Sequence, residues 1–246
     1  MGGWIFVNAD GDAPTLEDQL GSLDELVAPW EPSRLVVAET HEYVIEANWK
    51  TITENYHERS HCPSIHPALC AVTPVDSGEN LPHGGMWIGG TMELKDFAQT
   101  MSLTGESFGV PLRGLDDRQR RTVLYVGLFP NLLLSLHPDY VMTHRIEPLG
   151  PARTKVECQW LFPPEATERP GFSPAYASEF WDITNREDWL ACESVTRGLR
   201  SAGSRQGPFA WSEDEVHMFM GMVAQAYLDG RASEPPRAHE PDNAGA

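Results

Sequence analysis

The chain has 246 residues, of which 41% are hydrophobic and 9% aromatic, and this length and composition suit one large α+β domain or two small ones. Its formal net charge of −18 repels phosphate backbones, so we expect no nucleic-acid partner. No apolar run is long enough to span a membrane and no signal peptide precedes the first strand-like segment, so we expect a cytoplasmic protein without a membrane partner.

The first part of the chain predicts two strands and two helices. GWIFVN, residues 3–8, and RLVVAETHEYVIEA, residues 34–47, are typical of strands. Between them, Thr15 is expected to cap a helix that ends at Pro29. The apolar face of this helix would consist of Leu16, Leu20, Leu23 and Val27. Residues 48–58, NWKTITENYHE, predict a second helix.

From about residue 84 to 163 the pattern is β, with turn residues between apolar segments. The segments are MWIGGTMEL, TVLYVGLF, NLLLSL, YVMTHRI and TKVECQWLF. Residues 103–121 predict a long loop. Trp87 could bind a quaternary ammonium group through its ring, although a core position is the more common role of a buried Trp.

The last part of the chain predicts two helices. One covers roughly 174–200, and the other starts at Ser212 with Glu215 at a capping-box spacing. Its apolar face would consist of Val216, Phe219, Met220, Val223 and Tyr227. Residues 231–246 predict a disordered tail. The whole outline is an antiparallel sheet packed against long helices, an α+β domain over residues 1–230.

The segment ENYHERSHCPSIHP, residues 54–67, concentrates side chains that can bind metal. A helix continuing through it would place Glu58 and His61 on one face, and Pro63 would break that helix. His61 and His66 would then converge from two differently aimed segments. Two imidazoles favour zinc, iron, copper or nickel over magnesium or calcium. The alternative is two structural histidines at a helix junction.

A third ligand should be a carboxylate on a buried face. Along the long helix the stripe at helical spacing is Trp181, Thr184, Asp188, Cys192, Val195 and Leu199. Asp188 lies in the middle of this largely apolar stripe, and a buried unpaired Asp is rare. The alternative is an ion pair with a neighbour such as Arg186. Two histidines and one Asp form the facial triad of non-haem Fe(II) oxygenases.

The segment NWKTITENYHERSHCPSIHP resembles the iron-site signature of the large (alpha) subunits of Rieske-type non-haem iron oxygenases, which hydroxylate aromatic rings and other substrates. EDWLACESVTRGLRS, residues 187–201, resembles the late helix of the same family. The segments GWIFVN, NLLLSLHPDYVMTHRIEPLGP and CQWLFPPE are also similar to it, most of all to its glycine betaine and quaternary amine branch.

The resemblance implies a fold and roles for five residues. His61, His66 and Asp188 would hold mononuclear Fe(II). Glu58 would link the iron site to the Rieske cluster of a neighbouring subunit, and Asn55 would lie close to the metal. The implied fold is a helix-grip (START/Bet v 1-like) domain, a curved antiparallel sheet around a long C-terminal helix with a cavity between them.

The sequence departs from the family pattern in three places. Arg59 and Ser60 stand where the family commonly has Cys-Tyr, and Thr196 stands where it commonly has Gln. None of these positions is a ligand, so the departures bear on substrate fit and packing.

A Rieske cluster needs two Cys and two His, arranged as CxH and CxxH, and neither motif occurs in this chain. The resemblance therefore implies the catalytic half alone, with the [2Fe-2S] Rieske cluster held elsewhere. We expect the reading frame to extend upstream of Met1, or an adjacent gene to encode a small Rieske protein. A full-length subunit would form a homotrimer.

The leading interpretation is an iron-dependent monooxygenase or dioxygenase that uses O2 to hydroxylate or N-demethylate a small substrate. Electrons would come from a Rieske or ferredoxin-reductase donor, and the chain alone would lack activity without that donor. Two alternatives remain open. One is a zinc-dependent hydrolase with the same triad, and the other is a non-catalytic START-like ligand-binding module.

Overall fold

A computed structural model describes residues 2–9, 11–82, 84–210, 212–231 and 234. Within these residues the strands are β1 (Val36–Ile45), β2 (Glu79–Asn80), β3 (Trp87–Glu93), β4 (Thr122–Leu128), β5 (Leu132–Leu136), β6 (Val141–Gly150) and β7 (Arg153–Phe162). The α-helices are α1 (Leu16–Leu20), α2 (Leu23–Val27), α3 (Trp49–Tyr56), α4 (Cys62–Ile65), α5 (Pro67–Val72), α6 (Pro164–Thr167), α7 (Ala175–Leu199) and α8 (Asp214–Asp229).

The strands form one antiparallel sheet in the order β1-β7-β6-β5-β4-β3-β2. In β7 the residues Thr154, Val156, Cys158, Trp160 and Phe162 are buried and alternate with more exposed positions, as a half-buried strand requires. The predicted α+β fold, an antiparallel sheet with helices, is confirmed.

Two apolar clusters cover the two faces of the sheet. On one face, the 25-residue helix α7 packs Phe180 and Trp181 against Trp160 of β7. On the other face, the short helices α1 and α2 pack against strands β3 to β5. Trp87 belongs to this second cluster and is 1% exposed, so it is a core residue. The first cluster is the one from which the functional site is built.

The N-terminal predictions were partly wrong. Residues 3–8 form no strand, and the side chains of Ile5 and Val7 are 90% and 86% exposed. An apolar segment becomes a strand only where a neighbouring strand pairs with its backbone hydrogen-bonding groups. The edge strand β1 pairs with β7, and residues 3–8 do not join the sheet. Thr15 caps α1 as predicted, but the expected single helix is split at Gly21, where φ is +53°.

The long helices deviate from the predicted stripes at their ends. In α7 the buried stripe continues from Cys192 to Thr196, so Val195 and Leu199 are exposed. The reason is the helical period, because Thr196 lies four positions after Cys192 and therefore on the same face of the helix.

Helix α8 begins at Asp214, and its N-cap Glu213 makes no side-chain capping bond, so the predicted capping box at Ser212 does not form. Its face also differs, because Tyr227 is 77% exposed while Glu215 is buried.

Residues 103–121 form a loop without strand or α-helix, as predicted, and end in a 3-10 turn at Gln119–Arg121. The predicted tail, residues 231–246, falls outside the described residues except for 231 and 234. Across the described part of the chain, no helix combines the length and apolarity that crossing a membrane requires.

Candidate metal centre

The two histidines are positioned by two short helices that follow α3. Helix α3 ends at Tyr56 with His57 as its C-cap, so it does not continue through His61 as predicted. A new helix, α4, instead begins at Cys62, with His61 as its N-cap and Pro63 in its first turn. His66 lies between α4 and α5, and Pro67 opens α5. The two histidines therefore come from differently aimed segments, as the sequence predicted.

The structure brings the three predicted ligands together. Nε2 of His66 lies 2.9 Å from Oδ1 of Asp188, and Nε2 of His61 lies 3.4 Å from the same oxygen. The two imidazole rings are 5.1 Å apart at 78°. Asp188 reaches them from the middle of α7. Two ring nitrogens and one carboxylate oxygen thus point at a common place.

The opposite ring nitrogens are held by two glutamates. Nδ1 of His61 lies 2.7 Å from Oε2 of Glu58, and Nδ1 of His66 lies 2.8 Å from Oε2 of Glu187. A carboxylate on Nδ1 fixes the ring orientation and leaves Nε2 as the ligating atom. The Glu58–His61 contact is the one predicted, although no helix spans the two residues. Glu187 was missed by sequence reasoning, and its only signal is its position next to Asp188.

The fifth predicted residue also joins the cluster. Nδ2 of Asn55 donates to Oδ1 of Asp188 at 2.6 Å, which orients the carboxylate. Sγ of Cys62 lies 3.8 Å from Nε2 of His61, and the donor atoms of Cys62, His61 and His66 all lie within 4.8 Å of one another. Sequence reasoning did not consider Cys62 as a neighbour of the site.

The electrostatics of the cluster favour a bound cation. Burial lowers the pKa of His61, but its hydrogen bonds, led by that with Asp188, raise the pKa to about 12. Burial also opposes the raised pKa of His66, where hydrogen bonding and charge from Asp188 prevail. Burial would raise the pKa of Asp188, yet the two histidines lower it. The carboxylate therefore places a negative charge beside the two imidazoles, and a metal ion that binds there must displace the ring protons.

The centre opens into a cavity of about 80 Å³. Its walls include the rings of Tyr56, Tyr125 and Trp181. The rings of Tyr56 and Tyr125 are 5.9 Å apart, and those of Tyr125 and Trp181 are 6.5 Å apart. Burial raises the pKa of both tyrosines, so they face the cavity as neutral phenols. The cavity therefore joins the three predicted ligand side chains to an aromatic wall.

The sequence matches the family profile of the ring hydroxylating alpha subunit (catalytic domain) over residues 32–229. The chain belongs to this family. It is 28% identical over 268 residues to the glycine betaine monooxygenase oxygenase subunit of Chromohalobacter salexigens, covering 97% of this chain and 60% of that subunit. It is also 28% identical over 239 residues to the carnitine monooxygenase oxygenase subunit of Escherichia coli K12, covering 92% of this chain and 60% of that subunit. The chain thus spans about three fifths of the length of these relatives.

Solved structures of the ring hydroxylating alpha subunits share the fold. A quaternary ammonium Rieske monooxygenase superposes with a TM-score of 0.71 at 22% identity, over 89% of this chain and 58% of that one. Naphthalene 1,2-dioxygenase from Rhodococcus sp. superposes with a TM-score of 0.61 at 18% identity, over 85% and 61%. Both matches confirm the α+β fold predicted from the resemblance.

Three other buried polar residues, His137, His144 and Asp139, contact neighbouring side chains away from the cluster. His137 is buried and stacks on Tyr140 at 4.1 Å. Nε2 of His144 lies 3.1 Å from Oδ1 of Asn185. Asp139 accepts hydrogen bonds from three hydroxyl groups and anchors the loop after residue 103. These hydroxyls belong to Thr100, Ser107 and Tyr176.

Proposed function

We propose that this chain is the catalytic domain of a Rieske-type oxygenase, covering residues 1–230, in which His61, His66 and Asp188 hold mononuclear Fe(II). The observation that carries the proposal is the convergence of two imidazole nitrogens and one carboxylate oxygen beside an aromatic cavity. Two histidines and one carboxylate are the donor set of non-haem Fe(II) oxygenases. Iron bound there would supply the activation of O2.

The neighbouring residues support that role without being ligands. Glu58 and Glu187 hold the imidazoles in the tautomer that presents Nε2. Asn55 orients the Asp188 carboxylate. Leu69 and Met92 add apolar groups to the cavity wall, which limit the access of water to the reacting group.

The reaction we propose is hydroxylation or N-demethylation of a small quaternary amine. The faces of aromatic rings attract quaternary ammonium groups, and three rings line this cavity. The names of the relatives, which are monooxygenases of glycine betaine and carnitine, favour this substrate class over an aromatic ring and favour monooxygenation over dioxygenation.

Electrons would enter through Glu58. It contacts His61 on the side away from Asp188 and lines the cavity. We propose that it faces a Rieske [2Fe-2S] cluster on another chain or another segment, in a homotrimer of full-length subunits. A Rieske or ferredoxin-reductase partner would reduce that cluster.

The test is peroxide-driven turnover, because peroxide supplies both oxygen and electrons. Protein loaded with Fe(II) is mixed with peroxide and with glycine betaine, choline or carnitine in turn, and the products are identified by mass spectrometry. We expect at least one amine to gain an oxygen atom or to lose a methyl group, and metal-free and zinc-loaded protein to yield neither. Equal product from the metal-free protein, or none from any of the amines, would contradict the proposal.

A further inference from the structure

A buried glutamate on the cavity wall has no part in the metal centre. Glu215 lies in the first turn of α8 and lines the same cavity as the triad. The residue is 4% exposed. Its burial in an otherwise apolar stripe of α8 carries a desolvation cost that packing alone does not explain.

Only one oxygen of this carboxylate is hydrogen-bonded. Oε2 of Glu215 lies 2.9 Å from Nδ1 of His57, which therefore donates to it. Oε1 is buried and finds no hydrogen-bond partner among the residues that the structure describes. An unpaired buried carboxylate oxygen is costly, and a cation bound next to it would recover part of that cost through the attraction of opposite charges.

His57 fixes the carboxylate in place. Its side chain is buried between α3 and β4, against Gly127. A Cβ at Gly127 would overlap the imidazole ring, so the glycine is required for this close approach. The ring also packs edge-on against Tyr56 at 5.2 Å. Glu215 therefore has a partner that determines the direction of its free oxygen.

The free oxygen lies beside a glycine that lines the cavity. A Cβ at Gly90 would lie 2.9 Å from Oε1 of Glu215, and Gly90 itself lines the cavity. Tyr56 and Tyr125 line the same cavity as Glu215, so the carboxylate and these rings border one space. A carboxylate next to aromatic rings is the combination of groups that attracts an ammonium ion.

We propose that Glu215, held by His57, is a specificity-determining residue that selects a cationic ammonium head group over a neutral group of the same shape. The inference rests on the proposed function, because it names the group that recognises the substrate in that cavity. Arg59 also lines the cavity, but its guanidinium donates to Oδ1 of Asn80 at 2.8 Å. A probe with an ammonium group and no carboxylate therefore tests Glu215 without engaging Arg59.

The experiment compares choline with dimethylbutanol, the neutral alcohol in which carbon replaces the choline nitrogen. Binding of each is measured by calorimetry on the parent chain, on Glu215→Gln and on Asp214→Asn. Asp214 is the matched control, because it precedes Glu215 in α8 and Asp214→Asn removes the same charge. Its carboxylate accepts a hydrogen bond from Asn80, and neither of these two residues lines the cavity. Iron content of each sample is measured separately and reports on the proposed function alone.

We expect the parent and Asp214→Asn to bind choline at least about tenfold more tightly than the alcohol, and Glu215→Gln to lose that preference. Retained preference in Glu215→Gln would overturn the inference and leave the proposed function standing. No preference in the parent would overturn it as well, while loss of iron binding in the parent would count against the proposed function.

Glutamine keeps the shape of Glu215 and an acceptor for His57, which limits the effect on folding. If Glu215→Gln is not recovered folded, Glu215→Asp tests the same point, because it withdraws the carboxylate by one methylene. We expect weaker choline binding with unchanged affinity for the alcohol. Unchanged choline affinity in that variant would overturn the inference.

Discussion

Two glutamates hold His61 and His66, the two proposed ligand histidines, in the same way, yet we propose different roles for them. Glu58 and Glu187 each contact an Nδ1 atom at nearly equal distance. Glu58 also lines the cavity, whereas Glu187 does not. Glu187 is therefore the matched control for the electron-delivery role proposed for Glu58.

Replacing Glu58 with Gln should preserve iron content and remove electron delivery, because Gln keeps the shape and the hydrogen-bond acceptor but not the charge. Turnover with a Rieske partner and reductant should fall at least about tenfold, and turnover with peroxide should stay close to the parental value. Glu187→Gln should retain both activities. Loss of iron in Glu58→Gln, or equal loss in the two assays, would place Glu58 in the metal site itself.

His144 should make stability depend on pH. Burial lowers its pKa to about 4, despite the hydrogen bond with Asn185 that opposes the change. The folded-state pKa lies below the unfolded value of about 6.5, so the neutral ring stabilises the fold above pH ~6.5 and that stabilisation is lost as the pH falls towards ~4. At pH ~4.5 the free energy of unfolding should be about 2 to 3 kcal/mol lower than at neutral pH because of this one group.

The measurement is urea unfolding of the parent and of His144→Gln at neutral pH and near pH ~4.5. The glutamine can still donate to Asn185 but does not titrate, so the variant should lose about 2 to 3 kcal/mol less than the parent over this range. An equal loss in the two proteins would show that His144 is not the titrating group.

At the level of elements, the strands β1 and β3 to β7 were predictable, whereas the absence of a strand at residues 3–8, the short strand β2 and several helix ends were not. The strands β3 to β7 follow apolar segments bounded by turn residues, which the sequence displays directly. The split at Gly21 and the early end of α3 depend on distant partners. At the split, the backbone N–H of Ser22 donates to the Gly84 carbonyl at 2.8 Å. At the end of α3, His57 is hydrogen-bonded to Glu215 at 2.9 Å. No local pattern records such contacts.

The loop at residues 103–121 should depend on a single buried carboxylate. Asp139 accepts from Ser107 of that loop at 2.5 Å, from Thr100 at 2.6 Å and from Tyr176 of α7 at 2.6 Å. Asp139→Ala removes three hydrogen bonds and should lower the free energy of unfolding by about 3 kcal/mol or more. Limited proteolysis should then cut faster within the loop.

Tyr176→Phe is the control for the loop, because it removes one of the three hydroxyl donors and should cost only about 1 kcal/mol. Unchanged cleavage of the loop in Asp139→Ala, or an equal cost for both substitutions, would show that the carboxylate does not anchor it.

At the scale of the whole molecule, the sequence pointed to the three residues that the structure brings together, but not to Glu215 and His57 beside the cavity. His61 and His66 are close in sequence, and Asp188 stands out in a largely apolar stripe, so local pattern and resemblance together pointed to them. Glu215 also lies in an apolar stripe, but the capping-box spacing suggested a local role that the structure does not show. Its partner His57 is 158 residues away, so only the fold brings the two together.

Asp188 is the anionic member of the proposed triad, so its replacement tests iron binding most directly. Anaerobic titration with Fe(II), followed by metal analysis, should give about one iron per chain in the parent. Asp182→Ala, the same change on the same helix outside the triad, should match the parent, and Asp188→Ala should bind iron far more weakly. Iron bound as tightly by Asp188→Ala as by the parent would contradict the account.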